Sequence, residues 1–293
     1  MIGDTLKYIR ERKGFSARMV AWKNLSPSQL SRVETKEQML ATDAFIKILY
    51  RLNVSFEEFF LLSDHDHVKA RIETKNDLSN ILRKKNPQQM KHAIIKMNHY
   101  YDKYADPYFE HASCLLKATQ VLSETNYDYN ATLEVLKPIS DYLSSVETWF
   151  EYEISLFTNC VYLYPIEKTI KLGDDALEKI KENYMLLKNE ELTRSLLVNL
   201  AIYALSDEKY YSHAHNYISK VFSLPQSVNM LYSSILAKII NQVICHKLDN
   251  GEYDEVYLVN LLNGLKMMKF DDVYKEFVSF LIKHDIKIDG LQI

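Results

Sequence analysis

The apolar residues of this chain recur at intervals of three and four positions, and no segment sustains an alternation of apolar and polar residues. Such spacing lines one face of an α-helix, whereas a half-buried strand would alternate. Near the N-terminus the pattern falls into five short segments, two of them joined by a tight turn, which predicts a helix-turn-helix domain. We place these helices over residues 5–13 and 16–23, and at three further starts, Ser26, Thr42 or Asp43, and Ser55.

The segment from Leu25 to Glu34, LSPSQLSRVE, carries a strong helix-start signal. Ser26 is a favoured N-cap residue, and Pro27 suits the first helical position because its missing N–H needs no partner there. Gln29 stands three residues after the cap, the spacing of a capping box. We therefore predict a short, firmly capped helix in this segment.

The two faces of this short helix differ in chemistry. Leu30 and Val33 are one turn apart and share an apolar face, so Ser28, Ser31 and Arg32 point away from it. Small outward side chains let a backbone approach closely, and an arginine can pair with guanine in the major groove of DNA. A surface helix of any helical bundle is the alternative interpretation; the matching first helix and the short turn favour a DNA-recognition helix.

Beyond residue 70 the helical pattern continues in longer segments, and the chain has only six glycines and six prolines to interrupt it. Asn-Pro at 86–87 and Asp-Pro at 106–107 mark two helix starts. The further predicted helices are 130–137, 149–164, 166–184, 190–204, 210–222, 226–248, 253–268 and 271–284. Many helices with short connections predict stacked helical hairpins.

We therefore predict an all-α chain with two domains. A helix-turn-helix domain covers residues 1–63, and a linker covers 64–70. A right-handed solenoid of degenerate, tetratricopeptide-like helical hairpins covers 71–293 and is expected to bind a ligand and to dimerise. The apolar residues between Tyr253 and His284 favour dimerisation there, because a solenoid end needs a polar cap or a partner.

The charge of the chain is uneven. Residues 1–60 hold ten Lys/Arg and seven Asp/Glu, a net of +3, while the remainder holds 26 against 32, a net of −6. This asymmetry places any contact with nucleic acid in the first part. Three widely spaced cysteines without a CxxC pair fit a reducing cytoplasm. Neither a signal peptide nor a membrane-length apolar run is recognisable, so we expect a cytoplasmic protein with no membrane partner.

Signals for catalysis or metal binding are weak. Asp64, His65, Asp66 and His67 are adjacent in the predicted linker, where a solvated segment is a better interpretation than a metal site. The chain lacks a Gly-rich phosphate loop, HExxH and GxSxG. We expect no enzyme activity, no cofactor and no metal.

Three asparagines fall in the middle of predicted helices, where asparagine is intrinsically unfavourable. They are Asn159, Asn199 and Asn241. Each alone could cap a kink or bond a neighbouring helix. Together, on successive helix pairs, they suggest a ladder along one face of the solenoid.

Several stretches resemble a known family. LKYIRERKG (6–14) and VAWKNLSPSQLSRVE (20–34) are similar to the xenobiotic-response-element type of helix-turn-helix. With ILYRLNVSFEEFF (48–60), and with WFEYEISLFTN (149–159) and LLVNL (196–200) in the helical part, the chain more narrowly resembles the Rgg/GadR/MutR regulators of low-GC Gram-positive bacteria. The resemblance covers essentially the whole chain. In the N-terminal part it rests on specific motifs, and in the rest of the chain it rests only on the general residue pattern.

The resemblance implies a cytoplasmic, homodimeric transcription factor that binds an inverted-repeat operator in double-stranded DNA. It places Pro27, Ser28 and Arg32 at the base-facing positions. Ser26, Gln29 and Ser31 would hold phosphates or neighbouring base edges. Arg18 and Lys36 either contact backbone phosphates or are simply solvated.

The family pattern also makes Arg10 and Glu34 a structural ion pair, and ordinary surface charges are the alternative interpretation of these two residues. Two features depart from that pattern. The usual glycine after the recognition helix is missing, and the N-terminal domain has no cysteine for the inter-subunit disulfide that some members form.

For the helical part, the resemblance implies a short signalling peptide bound in the concave face of the repeats, with quorum sensing as its purpose. Asparagine can donate to a carbonyl and accept from an amide, so the three asparagines would hold the peptide backbone. Tyr152, Tyr162 and Tyr203 would wall apolar pockets, and Arg194 would hold a terminal carboxylate. The alternatives are a helical adaptor for a protein partner and a constitutive regulator without a peptide.

Overall fold

The computed structural model describes residues 2–23, 25–63, 65–84, 86–181, 189–225, 230–248 and 252–288. Within these ranges the chain is all-α, which confirms the predicted fold class. The one extended pairing among them is an isolated bridge between Trp22 and Leu25. None of the helices described there is long and apolar enough to cross a membrane.

Five short helices open the chain, and they pack around one apolar cluster. α1 and α2 both pack against α3. The cluster includes Leu6, Leu30, Val33 and Phe59, so α3 buries the apolar face that its sequence predicts. The five helices are α1 (Ile2–Arg12), α2 (Ala17–Val20), α3 (Pro27–Glu34), α4 (Thr42–Leu52) and α5 (Phe56–Leu62).

The second helix is shorter than predicted. Ser16 caps it, and the backbone becomes extended at Ala21. Trp22 and Leu25 then exchange two backbone hydrogen bonds, with N···O distances of 3.1 and 2.9 Å. This pairing satisfies groups that a longer helix would have used, so α2 is a single turn.

The next helices are α6 (Asp66–Lys84), α7 (Pro87–Tyr104) and α8 (Pro107–Glu124). The predicted linker over 64–70 is therefore helical from Asp66 onward, while Asp64 lies outside the described residues. The reason lies in His67, whose ring stacks on Tyr104 at 4.4 Å and whose Nε2 is 2.7 Å from Asp106 Oδ2. These contacts fix the first turn of α6. The compact N-terminal unit of the chain runs from Met1 to Ser113.

The second compact unit, Cys114–Ile293, consists of helical hairpins. Where a helix over 130–137 is predicted, the chain forms a 3₁₀ turn, Tyr129–Thr132, and then a separate helix. The predicted start at Gln226 lies outside the described residues. A second 3₁₀ turn spans Glu208–Tyr210, and the helices are α9 (Lys137–Ser145), α10 (Glu151–Cys160), α11 (Ile166–Lys181), α12 (Asn189–Ala204), α13 (Tyr211–Ser223), α14 (Leu231–Leu248), α15 (Glu255–Met267) and α16 (Asp271–Lys283).

Alternate helices of this unit form a layer. α10 packs on α12, α12 on α14, and α14 on α16, while α13 packs on both α12 and α14. This is the neighbour pattern of stacked helical hairpins. One side of α10, α12 and α14 is thereby left less covered than the others.

The apolar positions of the C-terminal helices are divided between the interior and the surface. Several that sequence analysis assigns to a dimer contact are buried within the chain itself: Leu258, Leu262, Leu265 and Phe277. Other apolar residues of the same region, among them Phe270 of the predicted contact, are exposed: Val256, Met267, Met268, Phe270 and Ile282.

Candidate functional site

The N-terminus of α3 is held by a complete capping box. Ser26 Oγ accepts a hydrogen bond from the Gln29 backbone N–H at 3.2 Å, and Gln29 Oε1 accepts one from the Ser26 N–H at 2.7 Å. Gln29 is thus partly engaged within its own helix, which leaves its side-chain NH₂ for other partners.

The outer face of α3 is small, polar and open. Pro27, Ser28, Ser31 and Arg32 are all exposed. Ser28 Oγ lies 3.0 Å from Ser26 Oγ, so one hydroxyl pair sits at the tip of the helix. The Arg32 guanidinium makes no hydrogen bond or ion pair with any residue that the structure describes, which leaves it available to an external partner.

The C-terminal end of α3 is held by an ion pair with α1. Arg10 Nε is 2.6 Å from Glu34 Oε1, and Arg10 Nη2 is 2.7 Å from Oε2. Arg10 Nη1 donates a third hydrogen bond to the Phe15 carbonyl at 2.8 Å. Only 6 % of Glu34 is exposed. The carboxylate raises the pKa of the Arg10 guanidinium.

A glycine that the motif analysis missed allows this approach of α1 to α3. A Cβ on Gly3 would lie 2.2 Å from the Val33 carbonyl oxygen, which is an impossible distance. The position therefore requires a residue without a side chain. The available signal is a glycine inside the first turn of a helix, where it costs helix stability without an evident reason.

The two cations predicted to contact DNA phosphates, Arg18 and Lys36, have different surroundings. Arg18 is exposed on α2. Lys36 Nζ lies 2.9 Å from Asp4 Oδ2, and this contact lowers the pKa of the Asp4 carboxyl. Lys36 also takes the left-handed conformation, φ 66°, immediately after the Thr35 cap. A lysine thus stands in a left-handed position that glycine would occupy without strain.

In the second unit, α10 presents one less buried stripe. Tyr152, Ser155 and Asn159 are spaced by three and four residues, so they share a face of the helix, and Tyr162 is exposed in the turn that follows α10. Asn159 is exposed and its Nδ2 donates to the Ser155 carbonyl at 2.9 Å. The Oδ1 atom of this amide stays open as an acceptor.

α12 repeats this arrangement. Ser195, Asn199 and Ile202 are half-buried, whereas the residues between them are buried. The sequences Ser-Leu-Phe-Thr-Asn (155–159) and Ser-Leu-Leu-Val-Asn (195–199) place a serine four residues before each asparagine.

Two tyrosines set the register of α10 against α12. The rings of Tyr162 and Tyr203 meet edge to face, with centroids 5.5 Å apart. Asn159 precedes the first by three residues and Asn199 precedes the second by four, so both amides lie one turn from this contact. Tyr203 differs from its predicted role as a pocket wall, because it is 7 % exposed and its hydroxyl donates to the Tyr164 carbonyl at 2.7 Å.

The third helix of the layer carries the third asparagine. Asn241 on α14 is half-buried, and its Nδ2 lies 3.8 Å from Cys245 Sγ. Lys238, three residues earlier, is exposed on the same side. We call the less buried stripes of α10, α12 and α14, marked by Asn159, Asn199 and Asn241, the asparagine face.

Arg194 does not lie on this face. Its exposed fraction is 1 %, and its guanidinium donates to the carbonyls of Val221, at 3.3 Å, and Pro225, at 2.8 Å. It therefore caps the C-terminal end of α13 inside the unit. The expectation that Arg194 holds a peptide carboxylate is wrong, because its guanidinium is buried and already bound to backbone carbonyls.

A short, capped helix with an exposed polar face in a small N-terminal bundle, followed by stacked helical hairpins, is the architecture of helix-turn-helix regulators with a helical repeat region. Residues 91–278 match the family model of the C-terminal domain of the HTH-type transcriptional regulator Rgg. The chain belongs to the Rgg family.

Solved structures share the fold over the whole chain. The SHP pheromone receptor Rgg2 of Streptococcus dysgalactiae is 24 % identical with a TM-score of 0.70, over 97 % of this chain and 99 % of that one. A putative transcriptional regulator of Listeria monocytogenes is 20 % identical with a TM-score of 0.73, over 98 % and 99 %. Bacillus thuringiensis PlcR, in complex with the peptide PapR7 and DNA, is 16 % identical with a TM-score of 0.65, over 96 % and 98 %.

Proposed function

We propose that this chain is a DNA-binding regulator whose activity is controlled by a short signalling peptide bound on the asparagine face. Residues 1–63 read an inverted-repeat operator, and residues 71–293 bind the peptide and join two copies in the cytoplasm. Quorum sensing is the process that such a pairing of functions serves.

The DNA-reading half of the proposal rests on α3. Its outer face offers an unengaged Arg32 with small neighbours, which suits a guanine in the major groove. Pro27 offers no donor and can contact only an apolar group such as a thymine methyl. DNA phosphates can be contacted by the polar side chains of Ser26, Gln29 and Ser31 and by the cation Arg18. Lys36 can join them once it separates from Asp4.

The single observation that carries the ligand half is the asparagine face itself. Three carboxamides lie on the less buried stripes of three helices packed side by side. An extended peptide carries unpaired N–H and C=O groups, and burying them unsatisfied costs ~1–3 kcal/mol each. A carboxamide satisfies one of each kind whatever the peptide side chains are. Tyr152 and Tyr162 flank the first carboxamide and supply apolar surface.

The relatives support this proposal in what they bind. Rgg2 is a pheromone receptor, and PlcR is known with both a peptide and DNA. Their fold extends over nearly the whole of this chain.

The test uses a synthetic pool of apolar octapeptides, a length within the range of about five to ten residues that the family resemblance implies. Wild-type protein, Asn199→Ala and Asn216→Ala are incubated with the pool, and retained peptides are identified by mass spectrometry after size exclusion. Asn216 is a matched control, since it is an exposed asparagine on α13. Loss of one bridging carboxamide should reduce retention about tenfold for Asn199→Ala alone.

Equal retention by the two variants would remove the asparagine face as the binding site. Retention of nothing by any protein, together with no binding of duplex DNA, would instead favour the helical adaptor. Binding of an inverted repeat with steep salt dependence, but of no peptide, would favour a constitutive regulator.

A further inference from the structure

We infer that Lys238 binds a carboxylate of the ligand, so the peptide must carry one where it crosses α14. The inference deepens the proposed function and rests on it. It gives the asparagine face an anion-binding residue in place of Arg194, which is buried.

Lys238 shares its face of α14 with Asn241. The two residues are three positions apart, and Cys245 follows on the same side. The two neighbours of Lys238 in the chain, Ala237 and Ile239, are fully buried. The ammonium group is therefore directed to the open side of the helix, next to the carboxamide that would hold the peptide backbone.

Lys238 has no charged neighbour along the first four turns of α14. It is the one charged side chain between Leu231 and Cys245. Among the residues that the structure describes, none forms an ion pair or hydrogen bond with its ammonium group, although other exposed lysines, such as Lys209 with Glu167, do so. Within the described residues, no carboxylate neutralises the charge of Lys238 through an ion pair.

A peptide bound on the asparagine face would change the surroundings of the Lys238 ammonium group. A peptide that covers Lys238 removes water from the ammonium group, and an ammonium group without water or a partner is strongly unfavourable. A carboxylate on the peptide restores a partner through a charge-assisted hydrogen bond. It also fixes the register of an otherwise backbone-held peptide, because Lys238 recognises one position of the ligand.

The carboxylate can come from the peptide terminus or from an acidic side chain, and three octapeptide pools of the same apolar composition separate these sources. The first pool ends in a free carboxylate, the second in an amide, and the third in an amide with one internal aspartate. Each is offered to wild type, Lys238→Gln and Lys171→Gln, and retention is measured by mass spectrometry. Lys171 is an exposed lysine on α11 and serves as the matched control.

We expect wild type and Lys171→Gln to retain the first or the third pool about tenfold better than the second, and Lys238→Gln to lose that preference. Preference for the first pool identifies a terminal carboxylate, and preference for the third an aspartate side chain. The inference is overturned if wild type retains all three pools alike, or if the preference survives in Lys238→Gln. Retention of no peptide at all by wild type would overturn the proposed peptide site and this inference with it.

Discussion

Arg10 and Glu34 form a two-pronged ion pair that ties α1 to the last residue of α3. Glu34 follows Arg32 by two residues and therefore lies on the opposite side of α3. Both side chains are largely withdrawn from solvent, and Arg10 also holds the Phe15 carbonyl. This largely buried interaction holds the C-terminal end of α3 against α1.

We predict that Glu34→Ala unfolds the helix-turn-helix bundle while leaving the repeat unit folded. Removal of one partner leaves an uncompensated buried charge, which costs about 3–5 kcal/mol, a large part of a small domain's stability. Hydrogen exchange of the full chain should show lost protection over residues 2–62 and retained protection over 151–181. Glu11→Ala is the control, since Glu11 is exposed and 3.4 Å from Arg10. Unchanged protection over residues 2–62 in Glu34→Ala would refute the role of the pair.

Gly3→Ala should destabilise the same bundle for a steric reason. The new methyl group would meet the Val33 carbonyl, so α1 must move away from α3. Overpacking of this kind costs about 1–3 kcal/mol. Gly264→Ala on α15 is the matched control, because no atom lies within 4 Å of its added Cβ and alanine is favoured over glycine inside a helix. Thermal unfolding should show a lower melting temperature for the first variant and an equal or higher one for the second.

Helix type and most helix positions could be predicted because three- and four-residue periodicity is a local property. The segment over 64–70 could not, because its first turn is fixed by Asp106, thirty-nine residues after His67. The charged and polar composition of this segment is typical of a solvated linker. Only a tertiary contact turns it into the start of α6.

The site was predictable to the extent that helix faces were unambiguous. α3 has one apolar stripe, so Ser28 and Arg32 could be assigned outward from spacing alone. α12 is apolar on most of its circumference, and its sequence does not state which polar residue faces solvent. Asn199 emerges at the surface, while Arg194 is buried against backbone carbonyls.

Acid should weaken the repeat unit through His284. Burial, with Lys283 and Lys247 nearby, lowers the pKa of this histidine to about 4, although Asp285 opposes the shift. Because the folded pKa lies below the unfolded value of about 6.5, the contribution to stability is complete above pH 6.5 and is lost as the pH falls towards 4. The melting temperature of wild type should fall across this window.

His284→Gln removes that titration, so its melting temperature should fall less steeply between pH 6.5 and 4. His92→Gln tests an exposed histidine on α7 and should follow wild type. Parallel curves for all three proteins would contradict the assignment.

Dimerisation is predicted to use the apolar residues that α15 leaves outside. Val256 and Met267 are eleven residues apart and so lie within about 20° of each other on the helix, and Met267 is 85 % exposed. Val256→Asp with Met267→Asp should raise the dimer dissociation constant at least tenfold, since each buried side chain contributes about 1.5–3 kcal/mol. Met39→Asp, a change at an exposed methionine outside this region, is the control. An unchanged dimer in sedimentation velocity would exclude this surface.

Arg32→Ala should separate specific from non-specific DNA binding. An operator is first selected from random duplexes with wild-type protein, and affinities for it and for a scrambled duplex are then measured by fluorescence anisotropy at fixed salt. Loss of a bidentate contact with guanine should weaken operator binding by ~1–3 kcal/mol and relax the preference at one position in each half-site. Lys36→Ala should instead weaken both duplexes alike and reduce the salt dependence, because a phosphate contact carries no sequence information. If Arg32→Ala keeps the wild-type ratio of the two affinities, α3 does not read the bases through this arginine.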